Sequence, residues 1–155
     1  YQPKEELKTS TSIDTITVKS SLTLEQRIAN GKYGWKNDSI TESNFPHDPI
    51  TIGDWEFRLI HPNRNISSEK AKALCGEDGW QAAKLEHLLA FGEAFPEKQK
   101  EFPIVALGSV CRLDDYRLVA KLWCLDDERE LLLRYWVGDW DAGYRFLSVR
   151  KISAS

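Results

Sequence analysis

Hydrophobic and polar residues alternate with a period of two over several stretches of the chain, which predicts strands. Trp55, Phe57 and Leu59 alternate with Glu56 and Arg58, the pattern of a strand with one buried face. Turn-forming Asp and Gly residues separate the later stretches. The other predicted strands are 104–107, 117–124, 129–136, 144–152 and a short one that includes Ile13, Ile16 and Val18.

Three segments in the first two thirds of the chain predict helices instead. A capping-box pattern at 23–26 begins a short helix at about 24–30. Two longer helices follow at about 67–76 and 84–95, each with apolar residues spaced for one buried side. These two helices precede a run of strands, an order that is typical of α+β proteins rather than of alternating βαβ units.

The domain organisation follows from the same pattern. Residues 1–12 are polar and predict a flexible N-terminal arm, and 13–155 predict a single domain. The chain has 155 residues, which is long enough for one domain with a substantial core. Residues 31–50 combine turn signals with Tyr33, Trp35 and Phe45, so we expect a loop packed by aromatic rings.

Charge and hydropathy exclude two classes of partner. The formal net charge is −3 and no Lys/Arg-rich run occurs, whereas phosphate recognition needs clustered cations. No apolar run approaches the roughly 20 residues of a membrane span. We therefore expect neither a nucleic acid partner nor membrane insertion.

The cysteine and histidine residues do not form a metal-binding pattern. Cys75, Cys111 and Cys124 are an odd number without a CxxC pair, and the three histidines do not supply paired ligands. Buried free thiols are the expected state, with no metal and no cofactor. His87 lies on the helix at 84–95, where a surface imidazole is expected.

Candidate catalytic groups do not form a constellation in the sequence. Asp126-Asp127-Glu128 and the Asp139/Asp141 pair could build a cation site or a carboxylate pair, but solvated turn residues are commoner. Gly108-Ser109 follows a strand without the flanking glycine of a nucleophile elbow. We therefore predict that the chain is not an enzyme.

Aromatic residues cluster among Asp and Gly in the segment 113–143. The segment contains Tyr116, Trp123, Tyr135, Trp136 and Trp140, with eight acidic and four basic residues. Rings interleaved with small polar residues are typical of protein-contact surfaces, where rigid aromatics supply area. The competing interpretation is that these rings face the core of a sheet.

Three motifs in order resemble a known family. They are Leu85-Glu86-His87-Leu88-Leu89-Ala90-Phe91, Phe102-Pro103-Ile104-Val105-Ala106-Leu107-Gly108-Ser109 and Tyr144-Arg145-Phe146-Leu147-Ser148-Val149-Arg150-Lys151. Across about 20–151 the chain resembles the variable proteins of diversity-generating retroelements. That resemblance implies a C-type-lectin-like fold with two helices plus antiparallel sheets, in which 144–151 is a central strand beside 55–59.

The resemblance also implies a variable segment at about 113–143. In such proteins an adenine-directed reverse transcriptase changes Asn codons. Positions that an Asn codon can reach are expected to form the ligand-binding face: Leu113, Asp114, Tyr116, Leu118, Leu132, Arg134, Val137, Gly138, Asp139, Asp141 and Gly143. Lys121, Trp123 and Glu130 occupy similar alternating places but cannot arise from an Asn codon.

The fixed positions of this segment predict its scaffold. Leu131, Leu133, Trp140 and Tyr144 alternate with the variable set, as a strand with one packed face requires. One departure concerns the helix at 84–95, which in the family opens with Thr and has Glu three residues later. Lys84 and His87 stand at those places, so we expect that cap to be lost.

Three functions remain open at this point. The first is a module that binds an unknown protein or cell-surface ligand through a hypervariable surface. The second is an inactive or divergent enzyme related to formylglycine-generating oxidases, which share the lectin-like fold but need a cysteine pair that Cys111 and Cys124 do not obviously match. The third is a structural virion or surface subunit. Cytoplasmic, virion and cell-surface locations all stay open.

Overall fold

The computed structural model describes residues 14–152, which form one large sheet with helices on both of its faces. The helices are α1 (Leu24–Gly31), α2 (Ser68–Cys75), α3 (Leu85–Ala94) and α4 (Lys98–Glu101). The strands are β1 (Asp14–Val18), β2 (Trp35–Lys36), β3 (Gly53–Ile60), β4 (Ile66–Ser67), β5 (Gln81–Ala82), β6 (Ile104–Leu113), β7 (Tyr116–Leu125), β8 (Glu128–Tyr135), β9 (Asp139–Trp140) and β10 (Arg145–Lys151). The predicted arm at 1–12 lies outside the described residues.

The main sheet has eight strands and is mostly antiparallel. Its order is β1-β3-β10-β6-β7-β8-β2, with β5 also paired to β10, while β4 and β9 form a separate pair. The α+β class is therefore confirmed. Strand β10 is central and antiparallel to β3, with Phe146 opposite Ile60 and Lys151 opposite Trp55. The expected pairing of 144–151 with 55–59 is confirmed.

Two details of the predicted architecture are wrong. Strand β10 runs parallel to β6, and β2 runs parallel to β8, so the sheet is not purely antiparallel. A local pattern of side chains does not reveal the direction of a neighbouring strand. The structure also has four helices in 14–152, whereas the resemblance implied two: α1 agrees with the helix that the capping box predicts at 24–30, and the four-residue α4 is too short for a periodic signal.

The two faces of the sheet pack against different helices. The α3 face is covered by α1 and α3, and its core includes Phe57, Leu88 and Phe91. The rings of Phe57 and Phe91 meet edge to face, with centroids 5.1 Å apart. The α2 face is covered by α2, and its core includes Val119 and Phe146. Alternate residues of each strand therefore enter different cores.

The N-terminus of α3 keeps more of its cap than the sequence predicts. His87 Nδ1 accepts a hydrogen bond from the Lys84 main-chain N–H (2.9 Å), the reach-back contact that Glu makes in a capping box. Ser109 Oγ, from β6, accepts from the Leu85 N–H (2.8 Å). His87 is also fully buried, so the expectation of a surface imidazole is wrong. Ser109, which is distant in the sequence, therefore supplies the acceptor for a main-chain N–H at the start of α3. No local pattern could show this contact.

The Tyr33 ring fills a site between α1, α3 and β8. Residues 31–50 form the predicted loop, apart from β2 and a 3₁₀ turn at Pro49–Thr51. The Tyr33 hydroxyl is buried without a hydrogen bond among the described residues, and burial raises the pKa of Tyr33 to about 12. A Cβ added at Gly31 or Gly92 would overlap this side chain. Both glycines are therefore required by the position of one ring.

Replacing Gly92 with Ala is expected to destabilise the protein by about 1–3 kcal/mol, the usual effect of overpacking, although Ala is the better helix former. In a Tyr33→Phe background the loss should be clearly smaller, because the hydroxyl oxygen is the only severe overlap and the next contact, with Leu122 Cδ1, is 3.3 Å. Denaturant unfolding of the two single variants and the double variant measures the coupling. Equal losses in both backgrounds would show that Tyr33 is not the obstacle.

Candidate binding surface

Strands β7 and β8 form a long hairpin that carries most of the predicted variable positions. Leu122 is opposite Leu131, and Lys121 is opposite Leu132. Residues directly opposite each other in an antiparallel pair point to the same face of the sheet. The α3 face of the hairpin therefore carries Leu122 and Leu131, and the α2 face carries Lys121 and Leu132.

This register divides the predicted variable residues between the two faces. Leu132 and Arg134 lie on the α2 face, as do Lys121, Trp123 and Glu130. The remaining strand positions of the set lie on the α3 face: Leu113, Tyr116 and Leu118. The expectation of a single variable face therefore does not hold.

Leu113 and Leu118 differ from the rest of the variable set in their packing. Both are partly buried and pack against the core of the α3 face. Tyr116 lies on the same face but beyond the core, with half of its side chain exposed. Leu113 and Leu118 are therefore support residues, because their positions along β6 and β7 bring them under the helical layer.

The segment 136–144 crosses the α2 face, and every fourth residue of it is buried, including the predicted scaffold residues Trp140 and Tyr144. Trp136, Trp140 and Tyr144 are buried on Val119 and Phe146. The variable positions between them are exposed: Val137, Gly138, Asp139, Asp141 and Gly143. Within this segment the separation into a packed side and a solvent side is confirmed.

Two indole groups anchor this segment to the start of α2. Ser68 Oγ accepts a hydrogen bond from Trp140 Nε1–H (2.8 Å) and donates one to the Trp136 main-chain carbonyl (2.7 Å). Trp136 Nε1–H donates to Glu69 Oε2 (2.7 Å), which lowers the pKa of the Glu69 carboxyl. Ile66 in β4 pairs with Trp140 in β9. These contacts hold the main chain of 136–144 against the start of α2.

Ser68→Ala is expected to destabilise the protein by about 2–3 kcal/mol, because it leaves the Trp140 indole N–H and the Trp136 carbonyl buried without partners. The neighbouring Ser67→Ala is the matched control. It removes only the hydrogen bond from Lys70 N–H at the cap of α2 and should cost about 1 kcal/mol. Equilibrium unfolding with tryptophan fluorescence compares the two, and equal losses would contradict the anchoring role of Ser68.

Lys121 supports Tyr144 from the α2 face. Its side chain is buried, its Nζ donates to the Tyr144 hydroxyl (3.2 Å), and the ammonium lies 5.3 Å from the centre of that ring. Arg134 also donates to the Tyr144 hydroxyl (3.4 Å), but it remains exposed. Lys121 thus acts as scaffold, while Trp123 and Glu130, opposite each other, are only partly exposed.

Large hydrophobic side chains gather at one end of the hairpin. Tyr116, Tyr135 and Val137 are 54%, 51% and 76% exposed, and the two tyrosine rings meet edge to face at 5.2 Å. The turn Asp114-Asp115 lies beside them at the end of β6. We call these five residues the tip surface. Tyr135 is absent from the predicted set, and only its register with Leu118 places its ring against Tyr116.

One of the two acidic clusters, Asp126-Asp127-Glu128, lies at a hairpin turn, and the pair Asp114-Asp115 forms the other hairpin turn. Asp114 and Asp115 have φ values of 50° and 70°, and Asp126 and Asp127 have 52° and 66°. Two consecutive left-handed residues are what a two-residue β-hairpin requires, and Asp adopts that conformation more readily than most residues. Among residues 14–152, no group of three or more His, Cys, Asp or Glu side chains is placed to hold a metal ion.

The three cysteines are far from forming a reactive pair. Cys75 and Cys111 are buried as predicted, whereas Cys124 is partly exposed, and all three are free thiols. Burial raises the pKa of Cys75 to about 12. Cys111 lies opposite Leu118, so Cys124 is further along β7 by roughly 20 Å at about 3.3 Å per residue. Cys111 and Cys124 are therefore too far apart to form the cysteine pair that the oxidases need.

A groove that the sequence did not indicate lies beside α1. It has a volume of about 780 Å³ and is lined by α1 and by 33–42. Trp35 in β2 is nearly half exposed on its wall, which Lys32 and Glu42 also line. The groove adjoins the edge of the sheet where β2 pairs with β8. The Trp35 and Tyr33 rings were its only signal in the sequence.

Comparisons of the chain with models of protein families, with curated proteins and with solved structures find no match. Within residues 14–152, none of the helices combines the length and the apolar character needed to span a membrane.

Proposed function

We propose that the chain is a binding module that contacts a protein ligand through the tip surface and the exposed side of 136–144. The observation that carries this proposal is the pair of half-exposed rings of Tyr116 and Tyr135, which meet edge to face, with the exposed Val137 two residues after Tyr135. Contiguous exposed apolar side chains with a polar rim are typical of protein-contact sites. The C-type-lectin-like fold and diversification by a retroelement belong to the same proposal, on the strength of the three resembling motifs.

The separation of contact residues from anchoring residues supports a surface that varies. Trp136 and Trp140 hold the main chain of 136–144 through hydrogen bonds to α2, and neither depends on the side chains at the exposed positions between them. Exchange of those exposed side chains therefore leaves the anchors in place. A scaffold of this kind accepts many different surfaces at little loss of stability.

The chemistry of the surface favours a protein as ligand. Rigid tyrosine rings provide contact area at a small loss of conformational entropy, and neighbouring Asp and Gly residues provide adaptable polar contacts. The segment 113–143 has eight acidic and four basic residues, a charge of −4, which disfavours a nucleic acid backbone. We therefore expect a folded protein or a cell-surface protein rather than a polyanion.

Two multiple variants test the proposed division of roles. Simultaneous replacement of Tyr116, Arg134, Val137, Asp139 and Asp141 by Ser or Asn should change the free energy of unfolding by less than about 1 kcal/mol, because these side chains are exposed. Replacement of the buried Leu131, Trp140 and Phe146 by Ser should unfold the protein. If replacement of the first set unfolds the protein, those side chains belong to the core and the proposal fails.

A genomic comparison tests the retroelement part separately. A second copy of the DNA that encodes 113–143 is expected near a reverse transcriptase gene. Its differences should fall at adenines, in codons of exposed positions such as Val137, Asp139 and Asp141 rather than in those of Trp136 and Trp140. Differences spread evenly over all four bases would contradict diversification while leaving the binding role in place.

A further inference from the structure

One edge of the main sheet is only partly covered. Strand β8 has β7 on one side along its whole length. On its other side β2 covers it only at Glu130 and Leu131. The Asn37 carbonyl then accepts from the Ile40 N–H (3.1 Å), which turns the chain away from β8. Residues 132–135 therefore form an open edge.

Hydrogen bonds on both sides of β8 show which main-chain groups point out of this edge. Trp136 N–H donates to the Arg117 carbonyl (2.8 Å), so even-numbered residues of β8 bond towards β7. Asn37 N–H donates to the Leu131 carbonyl (3.0 Å), so odd-numbered residues point away from β7. Leu133 and Tyr135 thus present N–H and C=O groups outwards. No further hydrogen bond among residues 14–152 reaches these groups.

We propose that the open edge at 132–135 receives an extended peptide segment of the protein ligand as an added strand. The alternating donors and acceptors of Leu133 and Tyr135 match the main chain of a strand and no other common partner. The edge borders the tip surface through Tyr135. The inference rests on the proposed function, since it names how a protein ligand is engaged.

Side chains along the edge specify the sequence that fits. Leu133 and Tyr135 point to the α3 face and favour an apolar residue of the added strand beside them. Arg134 points to the α2 face and is exposed. An acidic residue opposite Arg134 forms the favourable cross-strand pair. The bound segment is therefore an extended peptide in which an acidic residue is flanked by apolar ones.

A second copy of the chain fits this edge poorly. Consider two copies whose β8 strands pair antiparallel through the outward groups of Leu133 and Tyr135. In that register the two Arg134 side chains lie directly opposite each other. Like charges in that position are destabilising. The same Arg134 that favours an acidic peptide therefore disfavours self-pairing.

The test begins with the free protein in its full 155-residue form, labelled with ¹⁵N. The Leu133 and Tyr135 amides should exchange with solvent rapidly, while the Arg134 amide, bonded towards β7, should exchange slowly. Random peptides displayed on phage are then selected on the protein and made synthetically. Selected peptides should contain an acidic residue between apolar ones, and binding should slow the exchange of the Leu133 and Tyr135 amides.

Alternate N-methylation of one selected peptide provides the matched control, with no change in the protein. Methyl groups on the amides that point towards β8 should weaken binding at least about tenfold through lost hydrogen bonds. Methyl groups on the alternate amides should leave binding nearly unchanged. The variant Arg134→Glu should reverse the preference from acidic to basic peptides.

Several outcomes would overturn the inference. Equal effects of the two methylation patterns, or bound peptides that leave both amides unprotected, would show that no strand is added. Slow exchange of both amides in the free protein would mean that the edge is already occupied. If dilution restores rapid exchange, the occupant is a second copy of the chain. If removal of residues 1–13 restores rapid exchange, the occupant is that segment. If peptide binding is lost on Tyr116→Ser and Val137→Ser but is indifferent to N-methylation, the proposed function stands without the strand.

Discussion

Replacing Arg129 with Met should destabilise the protein by about 3–5 kcal/mol, more than any surface substitution on the same hairpin, because three hydrogen bonds from a charged group are lost. The guanidinium of Arg129 donates to the Gly31 carbonyl at the end of α1, to the Gly92 carbonyl in α3 (2.9 Å) and to Gln99 Oε1 (2.9 Å). It also stacks on the Tyr33 ring at 4.7 Å. One side chain therefore joins two helices to the base of β8.

The size of the effect follows from the acceptors that Met leaves behind. Hydrogen bonds that involve a charged group contribute about 1.5–3 kcal/mol each, and a buried carbonyl without a donor adds a further penalty. Positive charge near the carbonyl end of a helix is favourable as well. Gln99 would lose the contact that orients it, although its amide also donates to the carbonyls of Trp123 (2.7 Å) and Glu130 (3.1 Å).

Arg112→Met is the matched control for this prediction. Arg112 lies exposed in β6 opposite Arg117, so its replacement should change stability by less than about 0.5 kcal/mol. The loss of stability in Arg129→Lys should lie between those of the other two variants, because an ammonium group cannot reach all three acceptors. Urea unfolding measures all three variants. A loss below about 1 kcal/mol for Arg129→Met would show that the network contributes little.

Acidification should remove up to roughly 5 kcal/mol of stability through His87 alone. Burial, reinforced by the positive charges of Lys84 and Lys151, lowers the pKa of His87 from 6.5 to about 3. The ring is fully buried against Trp55, with ring centroids 4.3 Å apart, and its Nε2 has no partner among the described residues. Since Nδ1 accepts from the Lys84 N–H, the neutral form is the one that fits.

The direction of the effect follows from the proton uptake of the two states. Below pH 6.5 the unfolded chain protonates His87, whereas the folded protein does not until about pH 3. Stability is therefore complete above about pH 6.5 and falls as the pH is lowered towards 3. The slope approaches about 1.4 kcal/mol per pH unit within that window. The hydrogen bond with Lys84 holds the pKa of Asp48 below its usual range. Carboxyl groups of this kind therefore affect stability only at the acidic end of the pH window.

His87→Gln isolates this contribution. The Gln side chain keeps an acceptor for the Lys84 N–H, as in a capping box, but it does not titrate. Denaturant unfolding between about pH 7 and about pH 4.5 should give a steep loss for the unmodified protein and a shallow one for the variant. Parallel curves would show that His87 does not control the acid response. The NMR shifts of His87 should also stay constant over that range.

Much of the fold follows from local patterns. Strands β3, β7, β8 and β10 were predicted close to their observed bounds, because alternation of apolar and polar residues reports directly on a half-buried strand. Helix α3 was predicted for the same reason, from its spacing of apolar residues. Strands β2, β4 and β9 were not predicted, since two residues carry no period and their pairing depends on neighbours that are distant in the chain.

The candidate site shows more clearly what local patterns can and cannot predict. In 136–144 the sequence predicted Trp140 and Tyr144 as packed residues among small or charged ones, but it left the side of Trp136 open. In the hairpin of β7 and β8 the sequence did not determine which face is packed, because both faces carry apolar residues. Leu118 and Leu132 have the same side chain and point to opposite faces of the sheet.

Only the tertiary structure decided how these pieces act together. Hydrophobic burial depends on the period of a segment, which is local, and the sequence therefore determined the α+β class and the longer strands and helices. Register, strand direction and polar anchoring depend on residues far apart in the chain. Three features arise in that way: the hydrogen bonds of Ser68 to the Trp140 indole and the Trp136 carbonyl, the three acceptors of Arg129, and the open edge at Leu133 and Tyr135. No local pattern encodes them, because each needs a partner that only folding brings near.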